Sequence, residues 1–182
     1  MVKKYLGDFL TKAIFLDRDG VINIEKNYLH KIEEFEFING TFETLKYFQE
    51  KGYKLFIITN QSGIGRGYYT HNDFNKLTTW MLDEFKKNSI TISQVEFCPH
   101  APTTECDCRK PKTGMIDNIL KNFDVDLENS WLVGDKSSDI KCAKNANIKN
   151  TIQVKSGHDF KEKESDADFV CDSIKDLPKY IS

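Results

Sequence analysis

Asp17-Arg18-Asp19-Gly20 carries two carboxylates two residues apart on a glycine turn. One member of such a pair can attack phosphorus while the other, on a differently directed loop, serves as acid and base. Standing alone, the same residues also read as a turn with solvated acids. Thr59-Asn60-Gln61-Ser62-Gly63 supplies a hydroxyl, two amides and glycine-freed backbone N–H groups. That is a neutral cradle for phosphate oxygens, or a plain polar loop opening a helix. Arg109-Lys110-Pro111-Lys112 holds three cations in four residues, with Pro111 predicting extended backbone before it; a solvated basic turn is the other reading. Gly134-Asp135-Lys136-Ser137-Ser138-Asp139 offers an oxygen ligand for a hard cation and a second acid one helical turn later, unless Asp135 merely caps a helix. Together the four provide a nucleophile, a phosphate cradle, a cation and a metal carboxylate, which is the set phosphoryl transfer requires.

Cys98, His100, Cys106 and Cys108 fall within eleven residues in the spacing C-x-H-x5-C-x-C. Three thiols and an imidazole are an ordinary tetrahedral zinc set, and with no fifth ligand nearby the site is closed and structural. Disulfides and buried core cysteines are the competing readings. Cys106 and Cys108 are too close to pair comfortably, and the stretch is polar and proline-bearing. A metal on Cys108 would also fix the takeoff of Arg109 and Lys110, which follow it directly. Cys142 and Cys171 are expected to be buried without further role.

These segments need elements to hold them. Short, nearly continuous apolar runs predict strands at Lys12–Asp17, Tyr53–Thr59, Gln94–Cys98, Trp131–Asp135, Thr151–Lys155 and Asp168–Val170. Amphipathic segments predict helices at Thr41–Lys51, ending at Gly52, and at Asn72–Lys87, where Thr70 and Asp73 are spaced like a capping box. Met115–Phe123, Ser138–Ala146 and Ile174–Ile181 read as helical too. Strand–helix alternation implies an α/β fold, a doubly wound Rossmann-like parallel sheet with ligands at the carboxyl ends of its strands. The reactive segments all lie at such ends.

The whole chain, 1–182, reads as one domain with a zinc loop at 98–108. Hydrophobic residues at 39% and charged residues at 30% mark a globular balance. A net charge of −2 argues against an extended nucleic-acid surface. No apolar run is long enough to span a membrane. Met1–Thr11 contains no apolar segment of secretory length, so a cytoplasmic location with reduced cysteines is expected.

The motifs FLDRDGVIN, ITNQSGIGRGYYT, CPH…CDCRKPKTGM and VGDKSSDI occur in this order, and through them the chain resembles the haloacid dehalogenase (HAD) superfamily of phosphohydrolases from about Ala13 to Leu177. Within it, ITNQSGIGRGYYT and NYLHKIEEFEFI are similar to bacterial D-glycero-D-manno-heptose 1,7-bisphosphate phosphatases. The interval between His100 and Cys106 is shorter than in the best-known of these and looks like the histidinol-phosphate phosphatases, which is the alternative reading. The resemblance implies a phosphorylated sugar as substrate, with loss of its 7-phosphate through an aspartyl-phosphate, and heptose 1-phosphate for surface-glycan synthesis as product. It implies Asp17 as nucleophile, Asp19 as general acid and base, and Thr59 and Lys110 as stabilisers of the transferring group. Magnesium (Mg2+) would be held by Asp17, the Asp19 carbonyl and Asp135, and zinc (Zn2+) by Cys98, His100, Cys106 and Cys108. Glu25, Lys26, Asn27, Tyr28, Asn60, Gln61, Ser62, Arg109 and Lys136 match substrate-contacting stretches, and Asp139 would orient Lys110 or a metal-bound water. The enzyme is expected to act as a monomer, without a large cap. A DNA 3′-phosphatase would want a basic groove with stacking aromatics. An inactive zinc-stabilised module would be expected to lack at least one of Asp17, Asp19, Thr59, Lys110 and Asp135, and all five are present.

Overall fold

The computed structural model describes residues 10–181. The segment read for a secretory signal, Met1–Thr11, lies almost wholly outside them. All six expected strands form: β1 (Ala13–Leu16), β2 (Lys54–Asn60), β3 (Ile92–Cys98), β4 (Trp131–Gly134), β5 (Asn150–Val154) and β6 (Phe169–Cys171). They pair in parallel in the order β3-β2-β1-β4-β5-β6. That is the doubly wound arrangement, and its order reverses between β1 and β4. A crevice therefore opens beyond the carboxyl ends of those two strands, where Asp17 and Asp135 leave the sheet.

Side-chain alternation explains why both faces are covered. Along β1, Ile14 and Leu16 join one fully buried cluster while Ala13 and Phe15 join the other. The first cluster takes Leu45 and Phe48 from α1 (Thr41–Glu50) and Leu77, Met81 and Phe85 from α3 (His71–Lys87). The second takes Met115, Ile116 and Ile119 from α4 (Gly114–Leu120) and Cys142 and Ala143 from α5 (Ser137–Asn145). Each large apolar side chain so buried contributes roughly 1.5–3 kcal/mol, and this fixes the strand ends that carry the polar residues. Cys142 and Cys171 are buried as expected.

Helix boundaries follow local chemistry. Thr70 Oγ1 accepts from the Asp73 N–H at 3.2 Å and Asp73 Oδ2 accepts from the Thr70 N–H at 2.9 Å, which completes the capping box and starts α3 at His71. Beyond α1, Gly52 adopts φ 83°, the left-handed stop the sequence suggested. Two elements differ from expectation. Ser62–Gly65 forms a separate short helix, α2. Ile174–Lys179 is a 3-10 helix instead of an α-helix running to Ile181, because Pro178 lies inside it. Among the described residues no helix is long and apolar enough to cross a membrane.

Candidate active site

The first charged residue to leave β1 is Asp17, which is 6% exposed. Its Oδ2 lies 3.1 Å from Lys110 Nζ, and its Oδ1 accepts from the Arg18 N–H at 2.7 Å. Lys110 is itself buried and donates in three directions: to Asp17, to Asp139 Oδ1 at 2.7 Å and to the Ile58 carbonyl at 2.8 Å. Burial alone would lower the Lys110 pKa, but Asp139 and Asp17 outweigh it and hold it above its ordinary value, so the side chain is a cation. Burial pushes Asp17 the other way, up to about 6: Lys110 pulls it down while the charges of Asp139 and Asp19 add to the rise.

Asp19 has a different environment two residues on. Arg18 Nη2 donates to both its oxygens, at 2.8 and 2.9 Å. Asn23 Nδ2 donates to Oδ1 and Gln61 Nε2 to Oδ2, each at 2.9 Å. Burial would raise its pKa, but the Arg18 charge and these donors more than offset that and hold it below the usual carboxylate value. Two acids on one turn thus have pKa values pushed apart.

The β2 end supplies the opposite wall. Thr59 is buried, and the Asn60 side chain clamps the main chain of Lys110, accepting from its N–H at 3.1 Å and donating to its carbonyl at 3.4 Å. The Lys110–Pro111 peptide is cis. At the β4 end, Asp139 Oδ2 accepts from the Lys136 N–H at 2.9 Å, so Lys136, and not Asp135, holds the N-cap position of α5.

Two adjoining recesses result. One, of about 180 Å³, is lined by Asp17, Thr59, Arg109, Lys110 and Asp139; the other, of about 160 Å³, by Asn27, Tyr28, Gln61, Tyr69 and His158. Asp19, Glu25, Asn60, Ser62 and Lys136 line both. Burial, and then the nearby Asp19 charge, raise the Glu25 pKa. Lys26 is the exception among the expected substrate contacts: it lines neither recess, and its ammonium pairs with Glu36 at 3.2 Å.

Asp135 is 1% exposed, and its Oδ2 accepts from the His158 N–H at 2.9 Å and lies 2.6 Å from His158 Nδ1. Its Oδ1 is buried with no hydrogen-bond partner. Carboxylate oxygens of Asp17, Asp135 and Asp139 fall within 4.8 Å of one another. A buried, unpartnered carboxylate oxygen among three acids fits a hard divalent cation.

The cysteine segment forms the second cluster. Cys98 Sγ lies 3.8 Å from Cys106 Sγ and 3.6 Å from His100 Nδ1, and His100 Nδ1 lies 3.3 Å from Cys108 Sγ. Tetrahedral zinc, with Zn–S near 2.3 Å, sets neighbouring sulfurs about 3.8 Å apart. The five cysteines are free, with the Cys98 and Cys106 sulfurs at a metal-sharing and not a bonded separation. The start of the loop is held by two bonds: Arg109 Nη1 donates to the His100 carbonyl at 3.4 Å, and the Gly65 N–H of α2 to the Pro99 carbonyl at 2.8 Å.

Sequence reasoning missed the roles of Arg18, Asn23 and Tyr69, which lie inside or beside motifs it quoted. It also missed His158 and Ser156, whose Oγ donates to the Gly20 carbonyl at 2.7 Å. No local spacing marks those two.

Comparison with known proteins is consistent with this arrangement. A family model described as HAD-hydrolase-like matches residues 107–177. The chain is similar to D-glycero-alpha-D-manno-heptose-1,7-bisphosphate 7-phosphatase of Campylobacter jejuni, with 53% identity over 144 residues, 79% of this chain and 83% of the relative. It is 42% identical over 179 residues to D-glycero-beta-D-manno-heptose-1,7-bisphosphate 7-phosphatase of Pasteurella multocida, 94% of this chain and 97% of that one. Among solved structures, D,D-heptose 1,7-bisphosphate phosphatase from B. bronchiseptica, complexed with magnesium and phosphate, superposes with TM-score 0.80 at 26% identity, covering 92% of this chain and 96% of its own.

Proposed function

From a chain that belongs to the D-glycero-D-manno-heptose-1,7-bisphosphate 7-phosphatase family, within the HAD-like phosphohydrolases, we infer an enzyme that removes the 7-phosphate of this sugar bisphosphate and leaves the 1-phosphate. The observation that carries the mechanism is the buried Asp17–Lys110–Asp139 line beside a separately tuned Asp19. Relatives named for either anomer agree on the 7-phosphate. Their names do not favour the histidinol-phosphate reading.

Asp17 attacks the phosphorus in line and forms an aspartyl-phosphate as the sugar oxygen leaves. Lys110, fixed by three acceptors, offsets charge on the transferring oxygens, and Thr59 donates to one of them. Asp19 gives the leaving oxygen its proton and then takes one from the water that cleaves the aspartyl-phosphate. The donors around Asp19 favour its ionised form in the free enzyme. A bound phosphate dianion opposes them and raises its proton affinity when the proton is needed. Asp17, Asp135 and the Asp19 carbonyl would hold magnesium, which when bound neutralises the repulsion between the Asp17 carboxylate and a phosphate. Cys98, His100, Cys106 and Cys108 would hold zinc as a structural brace under Arg109 and Lys110. The same reading has the chain act as a monomer in the cytoplasm.

Phosphorus NMR on the bisphosphate tests the reading. The 7-ester signal should disappear first with the 1-ester intact. Comparable or better kcat/KM on histidinol phosphate in a parallel assay would overturn the heptose assignment.

A further inference from the structure

We propose that Gln61 is a positioning residue that acts through Asp19 and Thr59, committing its whole amide to a hydrogen-bond chain that leaves the Thr59 hydroxyl proton free for the substrate. The proposal rests on the reading above, in which Asp19 and Thr59 face a transferring phosphoryl group. It departs from the expectation that Gln61 itself contacts substrate.

Gln61 is 3% exposed, and both amide protons and the amide oxygen have partners. Nε2 lies 2.9 Å from Asp19 Oδ2 and 2.8 Å from Thr59 Oγ1; Oε1 lies 2.5 Å from Tyr69 Oη. The direction of this chain follows from donor and acceptor capacity. An ionised carboxylate only accepts, so the amide nitrogen faces Asp19 and the carbonyl faces Tyr69. Tyr69 therefore donates. Burial, the largest cause, raises its pKa to about 12, so it keeps its proton at any working pH. With one amide proton on Asp19, the other goes to Thr59 Oγ1, which accepts. The Thr59 proton is then uncommitted, in a recess it shares with Asp17 and Lys110.

A flipped amide would reverse each of these. Its carbonyl would face the Asp19 carboxylate, and Thr59 would have to donate to Gln61. Tyr69 opposes the flip, and packing fixes Tyr69 in turn. A Cβ at Gly63 would lie 2.1 Å from the Tyr69 ring, so only glycine admits it, and the His30 ring stacks on Tyr69 at 5.0 Å and 7°. The motif ITNQSGIGRGYYT thus contains the cradle, the hub and the residue that orients the hub.

The test is a mutant cycle on an aryl phosphate and on the heptose bisphosphate, with folding checked by thermal unfolding. Gln61→Met keeps the volume and removes the hydrogen bonds; it should lower kcat about tenfold or more while KM stays within about twofold. Tyr69→Phe should lower kcat by about two- to fivefold, and that effect should vanish in the Gln61→Met background. A raised KM with unchanged kcat would make Gln61 a substrate contact and overturn the proposal, as would full activity in Gln61→Met. Multiplying effects in the double variant would detach Tyr69 from the chain and overturn that part. Because the aryl phosphate reports the cycle independently, failure to turn over the heptose bisphosphate would sink the substrate reading alone.

Discussion

Asp17 is buried between one cation and two further acids, an arrangement that costs the fold some stability when the carboxyl is ionised. Its pKa is raised from 3.8 to about 6 by burial first, with Asp139 and Asp19 adding to the rise. The sign follows directly: a carboxyl that binds its proton more tightly when folded stabilises the fold fully below about 4 and loses that contribution as pH rises through about 6. Asp17→Asn does not titrate, so the metal-free variant should match the native protein near pH 4 and exceed its thermal midpoint at pH 7.5 by on the order of 5 °C. The same variant should have no turnover. Thermal scans in chelator check the first expectation, and a variant less stable than the native protein at pH 7.5 would contradict it. The residue types that line the candidate site were legible in the sequence because DxD, TNQ, RKP and GDxxxD spacings are local. The pairings were not. That Asn60 grips the backbone of Lys110, and Arg18 the carboxylate of Asp19, depends on side-chain directions that spacing does not specify.

At the scale of elements, periodicity located all six strands, since strands buried on both faces are nearly continuous apolar runs between polar loops. The four-residue helix α2 escaped because it has no apolar face of its own; it exists to seat Gly65 against Pro99 and to turn the chain into α3. That contact and the Arg109–His100 bond connect the cysteine loop to α2 and to Arg109, which lines the recess. Purified under reducing conditions, the protein should contain close to one zinc per chain by elemental analysis. Cys106→Ser should lower the thermal midpoint by more than about 5 °C, because metal binding is linked to the order of the loop. It should also raise KM severalfold through Arg109 while leaving formation of the aspartyl-phosphate chemically intact. Protein free of zinc at full stability would contradict the cysteine and histidine assignment.

At the scale of the whole molecule, the cation side of the site is assembled from segments that no local pattern could have joined. Ser156 and Gly20 are 136 residues apart, yet the serine hydroxyl holds the glycine carbonyl at the turn that follows Asp19. His158, from the same loop after β5, binds one oxygen of Asp135 twice, through its backbone N–H and its ring. The other oxygen is left buried and unpartnered, the condition for a metal ligand with a fixed orientation. Gly157 makes the approach possible, since a Cβ there would lie 2.2 Å from Asp135 Oδ2. His158→Ala removes the ring and keeps the backbone donor, so magnesium affinity should weaken about tenfold, at the low end of the range for groups that orient metal ligands. Gly157→Ala displaces ring and backbone together and should weaken it further, towards about a hundredfold. Two readings report the affinity: the magnesium concentration for half-maximal activity, and the magnesium-dependent rise in thermal midpoint, which needs no turnover. If both variants bind magnesium as the native protein does, the loop after β5 has no part in holding Asp135 for the ion. If affinity falls in the order native, His158→Ala, Gly157→Ala, the cation site depends on the loop after β5 as much as on the acids proposed to hold the ion.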